Sequence, residues 1–530
     1  MEAIRIKNLR NLQNTGFIKV KPVTFLLGSN SSGKSTFLRS FPLMKQSVAT
    51  RTTGPILWYG DLVDFGGFNE ALNNKSSARE ICFGYHFKLP KSSPNDDHSH
   101  NRYLFYRAVT LIEDVDIEIE LKMTTEEKRK NTTICKGIEI LAAGHKISIE
   151  IDLSGEVTEF KVNESNILNR GIRLKADQAN GFLPQIFRLG DEDETIDASY
   201  YSSSYYIRNK SIHINDLKEI VQKLVHHKTS QEQLGFLIKG FGLGSSKAML
   251  ASMKSTNRGG KTWKKKIEEW SEDSDDFKCL RDLIIANFLL SIMLVCDDYL
   301  SYFSRNVSYI GPVRATAERY YRSQDLAVGE VDSQGKNLAM FIRNLTEAER
   351  RDFATWTEKH FGFSVSVRPS GDHVSLRIQE GGMSSGINLA DTGFGFSQIL
   401  PILTQLWWLG RKPNRSGVRS RYPITFAIEQ PELHLHPKLQ ALLADSFIAA
   451  INTAKSSSLD LRLIIETHSE TLINRMGHRI ANGDFDKDNV NVVLFDKQKS
   501  NEPVSIRTAS YDEEGFLDNW PLGFFEPDMI

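Results

Sequence analysis

Eight residues constrain this chain more than any others: GSNSSGKS, Gly28 to Ser35, matches the pattern GxxxxGK[ST] in full. The apolar run VTFLLG (Val23 to Gly28) precedes it, and a helix is expected from about Lys34. A Gly- and Ser-rich turn between a buried strand and a helix aims backbone N–H groups and the helix N-terminus at an anion, which suits it to phosphate. Gly28, Ser29, Asn30, Ser31, Ser32, Gly33 and Thr36 are therefore expected to line a phosphate cradle. In it, Lys34 neutralises the β- and γ-phosphates of a nucleotide, and the Ser35 hydroxyl ligates Mg2+.

Two further strand ends complete the chemistry. In FAIEQPELHLHP (Phe426 to Pro437) the apolar run Ile424 to Ile428 stops at Glu429, a carboxylate placed for nucleotide-bound magnesium. A water between the two is expected, because magnesium keeps several waters. In most ATPases with such a strand end, the next residue is a second acid that serves as hydrolytic base. Here it is Gln430, whose carboxamide takes no proton from water. Glu432 is the nearby carboxylate able to substitute, while Gln430 can still orient the water, as glutamine does in some GTPases. Both options suit a slow switch. His434 and His436 read as a turn rather than a metal pair, since no third ligand lies nearby. The third element is ETHSE (Glu466 to Glu470), where His468 follows the strand from Leu461 and can reach a γ-phosphate or the attacking water.

Leu439, Leu442, Leu443, Phe447 and Ile451 fall on one face of a helix that begins at Pro437. Strands alternating with helices argue for a parallel α/β sheet. SYIGPVR (Ser308 to Arg314) reads as a buried strand closed by a Gly-Pro turn, and SGDH (Ser370 to His373) as a hairpin.

The middle of the chain differs. Between Ile81 and Val162, runs such as VDIEIELKM (Val115 to Met123) and KISIEIDL (Lys146 to Leu153) alternate at period two, as half-buried antiparallel strands do. SSPNDDHSHN (Ser92 to Asn101) reads as an exposed loop among them. From Asp216 to Phe303 the pattern is helical. Its most apolar stretch, Leu283 to Cys296, is too short for a bilayer, which needs about 20 residues, and reads as one buried helix. Lys254, Arg258, Lys261, Lys264, Lys265 and Lys266, with Trp263 beside them, read first as a solvated helix face whose Lys and Glu residues pair locally. Direct nucleic-acid contact through this Lys254 to Lys266 region is the alternative.

At 530 residues the chain exceeds one ordinary core. Three parts are expected: an ATPase N-terminal part (1–84), an insertion that is β then α-helical (85–305), and an ATPase C-terminal part (306–530). A net charge of zero predicts no global affinity for nucleic acid or membrane. The four cysteines lie far apart without a CxxC pair and read as reduced thiols, and MEAIRIKNLRNL has no apolar signal core, so a cytoplasmic protein is expected.

A phosphate loop, a long insertion, a Gly/Ser signature, a strand ending in acid and a strand followed by His resembles the order of an ABC ATPase head. IEQPELHLHP, ETHSE, YIGPVR and WPLGFF (Trp520 to Phe525) are similar to the OLD- and SMC-related bacterial ATPases, and among those to the PtuA type of Septu and retron anti-phage systems. The resemblance implies a mixed β lobe plus a parallel α/β lobe. It also implies a head-to-head dimer, or a higher oligomer, with ATP between subunits. ADTGFGFSQ (Ala390 to Gln398) is then the signature, with Gly393 and Gly395 allowing close backbone approach and Ser397 or Thr392 touching the γ-phosphate. The sequence departs from LSGGQ there, and DLVDFGGFNE (Asp61 to Glu70) offers no glutamine where that class has one. Only 62 residues follow His468, too few for the Toprim nuclease of OLD proteins, so nuclease activity is expected in a partner. The PtuA resemblance implies a PtuB-like HNH nuclease, with a retron reverse transcriptase and its DNA-RNA product as a further associate. A DNA-repair ATPase that binds DNA itself is the alternative.

Overall fold

A computed structural model describes residues 1–92, 110–126, 132–168, 172–177, 181–189, 214–325, 327–381, 385–411, 422–496 and 502–520. The chain divides into two compact units, Met1–Asn8 with Thr50–Leu57 and Gly66–Ser301, and Leu9–Ala49 with Trp58–Phe65 and Tyr302–Ile530. The SSPNDDHSHN segment from residue 93 onward and the WPLGFF tail from 521 onward lie outside the described residues.

In the first unit, the strands Ser165–Asn166, Val157–Val162, His145–Ile151, Thr132–Ala142, Val115–Glu126, Ile81–Leu89 and Ala3–Leu9 neighbour one another in that order, all antiparallel. Alternation decides which face is covered: Ile117, Ile119, Leu121 and Met123 are buried on one strand, and Ile138 and Ile140 on the next. Helices follow, from Ile214–Leu224 through Asp275–Asn287. The apolar stretch expected to be one helix is broken. Asp275–Asn287 and Leu289–Arg305 meet at 51°, and the Phe288 N–H is shared by the Ile284 and Ile285 carbonyls at 3.1 and 3.0 Å, a tightened last turn. Among the described residues no single helix is long and apolar enough to cross a membrane, though this bent pair passes that test by length and composition.

The basic stretch of this unit is solvated, with Lys254, Arg258, Lys261, Lys264, Lys265 and Lys266 all exposed, but several of these side chains are tied to the fold. Trp263 is fully buried and its Nε1–H donates to the Met253 carbonyl at 3.1 Å. Lys254 donates to the Glu268 and Trp270 carbonyls at 2.9 and 2.7 Å, Arg258 to that of Phe236 at 3.2 Å, and Lys266 to that of Lys223. Lys254 and Lys266 therefore serve carbonyls and Lys264 the Asn257 side chain (2.6 Å), where pairing with neighbouring glutamates was expected. Lys261 and Lys265 are exposed.

The second unit carries the phosphate loop. Its parallel strands run in the order Val307–Ile310, Ile424–Glu429, Leu461–Glu466, Val23–Gly28 and Val490–Asp496, followed by Ser505–Tyr511 and, at the edge, Leu517–Asp518, both antiparallel to their neighbours. Every residue of VTFLLG and ITFAIE is buried, as befits strands covered on both faces. The helices Lys34–Ala49, Phe394–Arg411, Pro437–Ser456 and Glu470–Ala481 alternate with these strands, as a parallel sheet requires. The expected hairpin is present, with Phe363–Ser370 paired to His373–Glu380 about Gly371. The strand with Glu429 is therefore separated from the phosphate-loop strand by the one that leads to His468.

Candidate functional site

The phosphate loop is shaped by two glycines. Gly28 has φ +147°, and a Cβ there would collide with the Phe495 carbonyl of the adjoining strand. Gly33 has φ +99°, and its Cβ would sit 2.6 Å from Leu12 Cδ2. Ser29, Asn30 and Ser31 are exposed at the rim; Ser32, Gly33, Lys34 and Thr36 are buried. The Ser32 hydroxyl makes no hydrogen bond. The Lys34 ammonium donates to the Gly28 and Ser29 carbonyls at 2.9 and 2.8 Å. Its pKa is lowered by burial, against the pull of the Glu466 and Glu432 charges. The ammonium thus waits on carbonyls that a phosphate can replace.

Beneath the helix that follows, two strand ends meet two helix positions. Glu429 and Glu466 are direct register partners on adjacent parallel strands, so both carboxylates leave the same face of the sheet. Ser35 and Arg39 lie four residues apart on the helix and so share its lower side. The Ser35 hydroxyl donates to Glu466 Oε1 at 2.8 Å, and Arg39 forks onto both oxygens of Glu429 at 2.7 and 2.8 Å. The Tyr309 hydroxyl adds a third bond to Glu429, 2.8 Å long. These bonds push Arg39 above its ordinary pKa, and burial with the Glu429 charge does the same to Tyr309. Burial, with the neighbouring Glu429 charge, also raises Glu466 against the Ser35 hydrogen bond.

The turn after Glu429 is held from two sides. Arg314 of the YIGPVR segment is 4% exposed and donates to the Glu429 and Gln430 carbonyls at 2.8 and 3.2 Å. Burial lowers its pKa to about 10. Gln430 takes a left-handed backbone, φ 43°, while its N–H still bonds the Glu466 carbonyl at 2.8 Å. Glu432 accepts from the Thr467 hydroxyl and from the His468 backbone, and burial raises its pKa. His468 itself is exposed, and partial desolvation with the Lys34 charge lowers its pKa, favouring a neutral imidazole.

The structure thus brings together Lys34, Ser35, Glu429, Gln430, Glu432 and His468, all singled out from sequence. It adds Arg39, Tyr309, Arg314 and Glu466, to which sequence reasoning gave no role. Glu466 and Arg314 were visible inside ETHSE and YIGPVR, and the four-residue spacing of Ser35 and Arg39 on one helix was the signal for Arg39. The signature residues Phe394 and Gly395 lie against His434, beyond Glu432 in the same turn. Gly393 is exposed at the start of Phe394–Arg411, and a Cβ on Gly395 would lie 3.2 Å from the His434 carbonyl. Ser397 is buried with its hydroxyl on the Phe394 carbonyl at 2.7 Å, and Thr392 bonds the Leu389 carbonyl at 2.7 Å. His434 packs edge-on against Phe394, while His436 caps the helix Pro437–Ser456 through the Lys438 N–H. The two histidines build a turn and a cap, and no metal-ligating cluster of three or more His, Cys, Asp or Glu occurs among the described residues.

The sequence matches the family described as AAA ATPase domain over residues 1–473. The chain belongs to that family. No curated protein matches this AAA ATPase domain. Among the solved structures that align with it loosely are two SMC heads. One is an SMC head bound to the C-terminal winged-helix domain of ScpA, with TM-score 0.33 and 11% identity, covering 96% of this chain and 97% of that one. The other is the SMC head domain of Thermotoga maritima, with TM-score 0.32 and 10% identity over the same shares. Likenesses this distant add nothing to the functional assignment, which rests on the family and on the site.

Proposed function

We propose that this AAA ATPase binds ATP with Mg2+ and hydrolyses it slowly, as a switch. The observation that carries the reading is the pairing of Ser35 and Arg39 with Glu466 and Glu429 directly under the phosphate loop. Lys34 exchanges its two loop carbonyls for β- and γ-phosphate oxygens, Ser35 supplies a hydroxyl to the metal, and a strand-end carboxylate stands on the metal's side. The part-buried Ser35–Glu466 hydroxyl–carboxylate pair and the unbonded Ser32 hydroxyl fit a magnesium–phosphate group, which supplies charge neutralisation at the phosphates when bound. Gln430 orients the attacking water without deprotonating it. Glu432, raised by burial, is the base within reach of the same turn. His468 contacts the γ-phosphate from the neighbouring strand end.

In this reading the protein acts in the cytoplasm as a head-to-head dimer or larger assembly. Gly393 and Gly395 of each subunit meet the nucleotide of the other, and a separate HNH nuclease is held in check until the ATP state changes. A retron reverse transcriptase with its DNA-RNA belongs to the same assembly where the operon encodes one. The motif resemblance supports this partner set. Purification from the native operon at native expression, with mass photometry and peptide identification, tests it. Co-purification of a nuclease supports the defence switch. A bare dimer whose ATPase activity rises with added DNA supports a repair ATPase instead.

A further inference from the structure

We propose that Glu466, rather than Glu429, is the carboxylate that faces the metal in this site, and that Glu429 is the anchor for Arg39. The inference rests on the nucleotide-binding reading and deepens it. Both oxygens of Glu429 are already used: Arg39 holds the two of them in a fork, and Tyr309 bonds one again. A guanidinium matched to a carboxylate in this way neutralises it and fixes its plane. Glu466 is in a different state. It is 3% exposed, its Oε1 accepts only the Ser35 hydroxyl, and its Oε2 is buried with no hydrogen bond.

A buried carboxylate needs a compensating charge. The nearest ammonium, on Lys34, is bonded to the Gly28 and Ser29 carbonyls, and Arg39 is committed to Glu429. The Glu466 charge is thus balanced by no hydrogen-bonded cation, and its open oxygen lies beside the one side chain of the phosphate loop whose hydroxyl suits a divalent ion. Hard cations take oxygen ligands of this kind, a carboxylate and a hydroxyl on adjacent positions, and keep waters for the rest. Glu466 and Glu429 leave the same face of adjacent strands, so Arg39 decides which of the two is left open to an ion.

The test compares wild type, Glu466→Gln and Glu429→Gln in binding a non-hydrolysable ATP analogue, by calorimetry in EDTA and in Mg2+, with Mn2+ EPR as the direct metal readout. Glu466→Gln is expected to bind the analogue in EDTA as wild type does. It should lose about tenfold or more of the gain that Mg2+ gives, and of Mn2+ affinity. A full metal gain in Glu466→Gln, or its loss in Glu429→Gln alone, overturns the proposal while the nucleotide reading stands. No analogue binding by wild type in either buffer overturns both. If Glu466→Gln loses metal-free binding as well, Glu466→Asp decides: weakened Mn2+ affinity with intact metal-free binding supports the proposal, and unchanged Mn2+ affinity overturns it.

Discussion

Glu432 holds the backbone of His468: its Oε1 accepts the His468 N–H at 2.8 Å, while Oε2 accepts the Thr467 hydroxyl at 2.8 Å. The turn after the Glu429 strand is thereby tied to the turn after the Glu466 strand. A residue that serves as base here is also one that sets the position of the histidine. Glu432→Gln turns one acceptor into an NH2 group facing a donor, at a cost of about 1–3 kcal/mol in stability. ATP turnover is expected to fall while ATP stays bound, which single-turnover hydrolysis with trapped radiolabelled ATP measures. Turnover at the wild-type rate removes Glu432 as the base.

Lys34→Ala removes two charge-assisted hydrogen bonds that pass from the Gly28 and Ser29 carbonyls to phosphate. At about 1.5 kcal/mol each, ATP affinity falls roughly 100-fold. Equilibrium binding of a fluorescent ATP analogue reads this.

Gly28→Ala has no room to relax, because the atom in its way is the Phe495 backbone carbonyl and the residue sits at φ +147°. A loss of roughly 3 kcal/mol or more is expected, of the size reserved for overpacking and strain. Urea denaturation checks it, and a near-native midpoint overturns the account of the loop.

Asp445 accepts four hydrogen bonds from Arg475 and Arg479, 2.7 to 2.9 Å long, joining the helices Pro437–Ser456 and Glu470–Ala481. Burial alone would raise its carboxyl, but the bonds from Arg479 and Arg475 outweigh that and leave it below its ordinary value of 3.8. A lowered carboxyl contributes stability above the ordinary value and loses it as pH falls through the lowered one. Asp445→Asn is therefore expected to cost about 1–2 kcal/mol at pH 7, discounted because the guanidiniums are 29% and 30% exposed. Denaturation of both proteins at pH 7 and near pH 3 tests the sign, since the gap must narrow in acid.

Lys261→Glu with Lys265→Glu reverses two of the six exposed charges of the basic stretch and leaves Lys254, Arg258 and Lys266 on their carbonyls. Stability is expected within about 0.5 kcal/mol of wild type. DNA stimulation of ATPase activity that disappears in this variant assigns the stretch a nucleic-acid role; stimulation that persists removes it.

Sequence alone determined the strand–loop–helix of the phosphate site, the acidic strand end at Glu429, the strand that leads to His468 and the parallel lobe. Each is written in local chemistry: a glycine pattern, an apolar run of strand length, a proline at a helix start. It also separated the antiparallel region from the helical one, because periods of two and 3.6 are visible without any contact. The break at Phe288 and the burial of Trp263 were not legible, since both follow from what packs against those residues. Nor could sequence distribute the partners of the buried carboxylates. Glu429 and Glu466 are 37 positions apart in the chain, and Arg39 is nearly 400 residues from the acid it holds. Only the sheet register that sets the two acids side by side, with the helix laid over them, decides which is neutralised by Arg39 and which meets the Ser35 hydroxyl. Charge compensation in a buried site depends on distance in space, which the order of residues does not record.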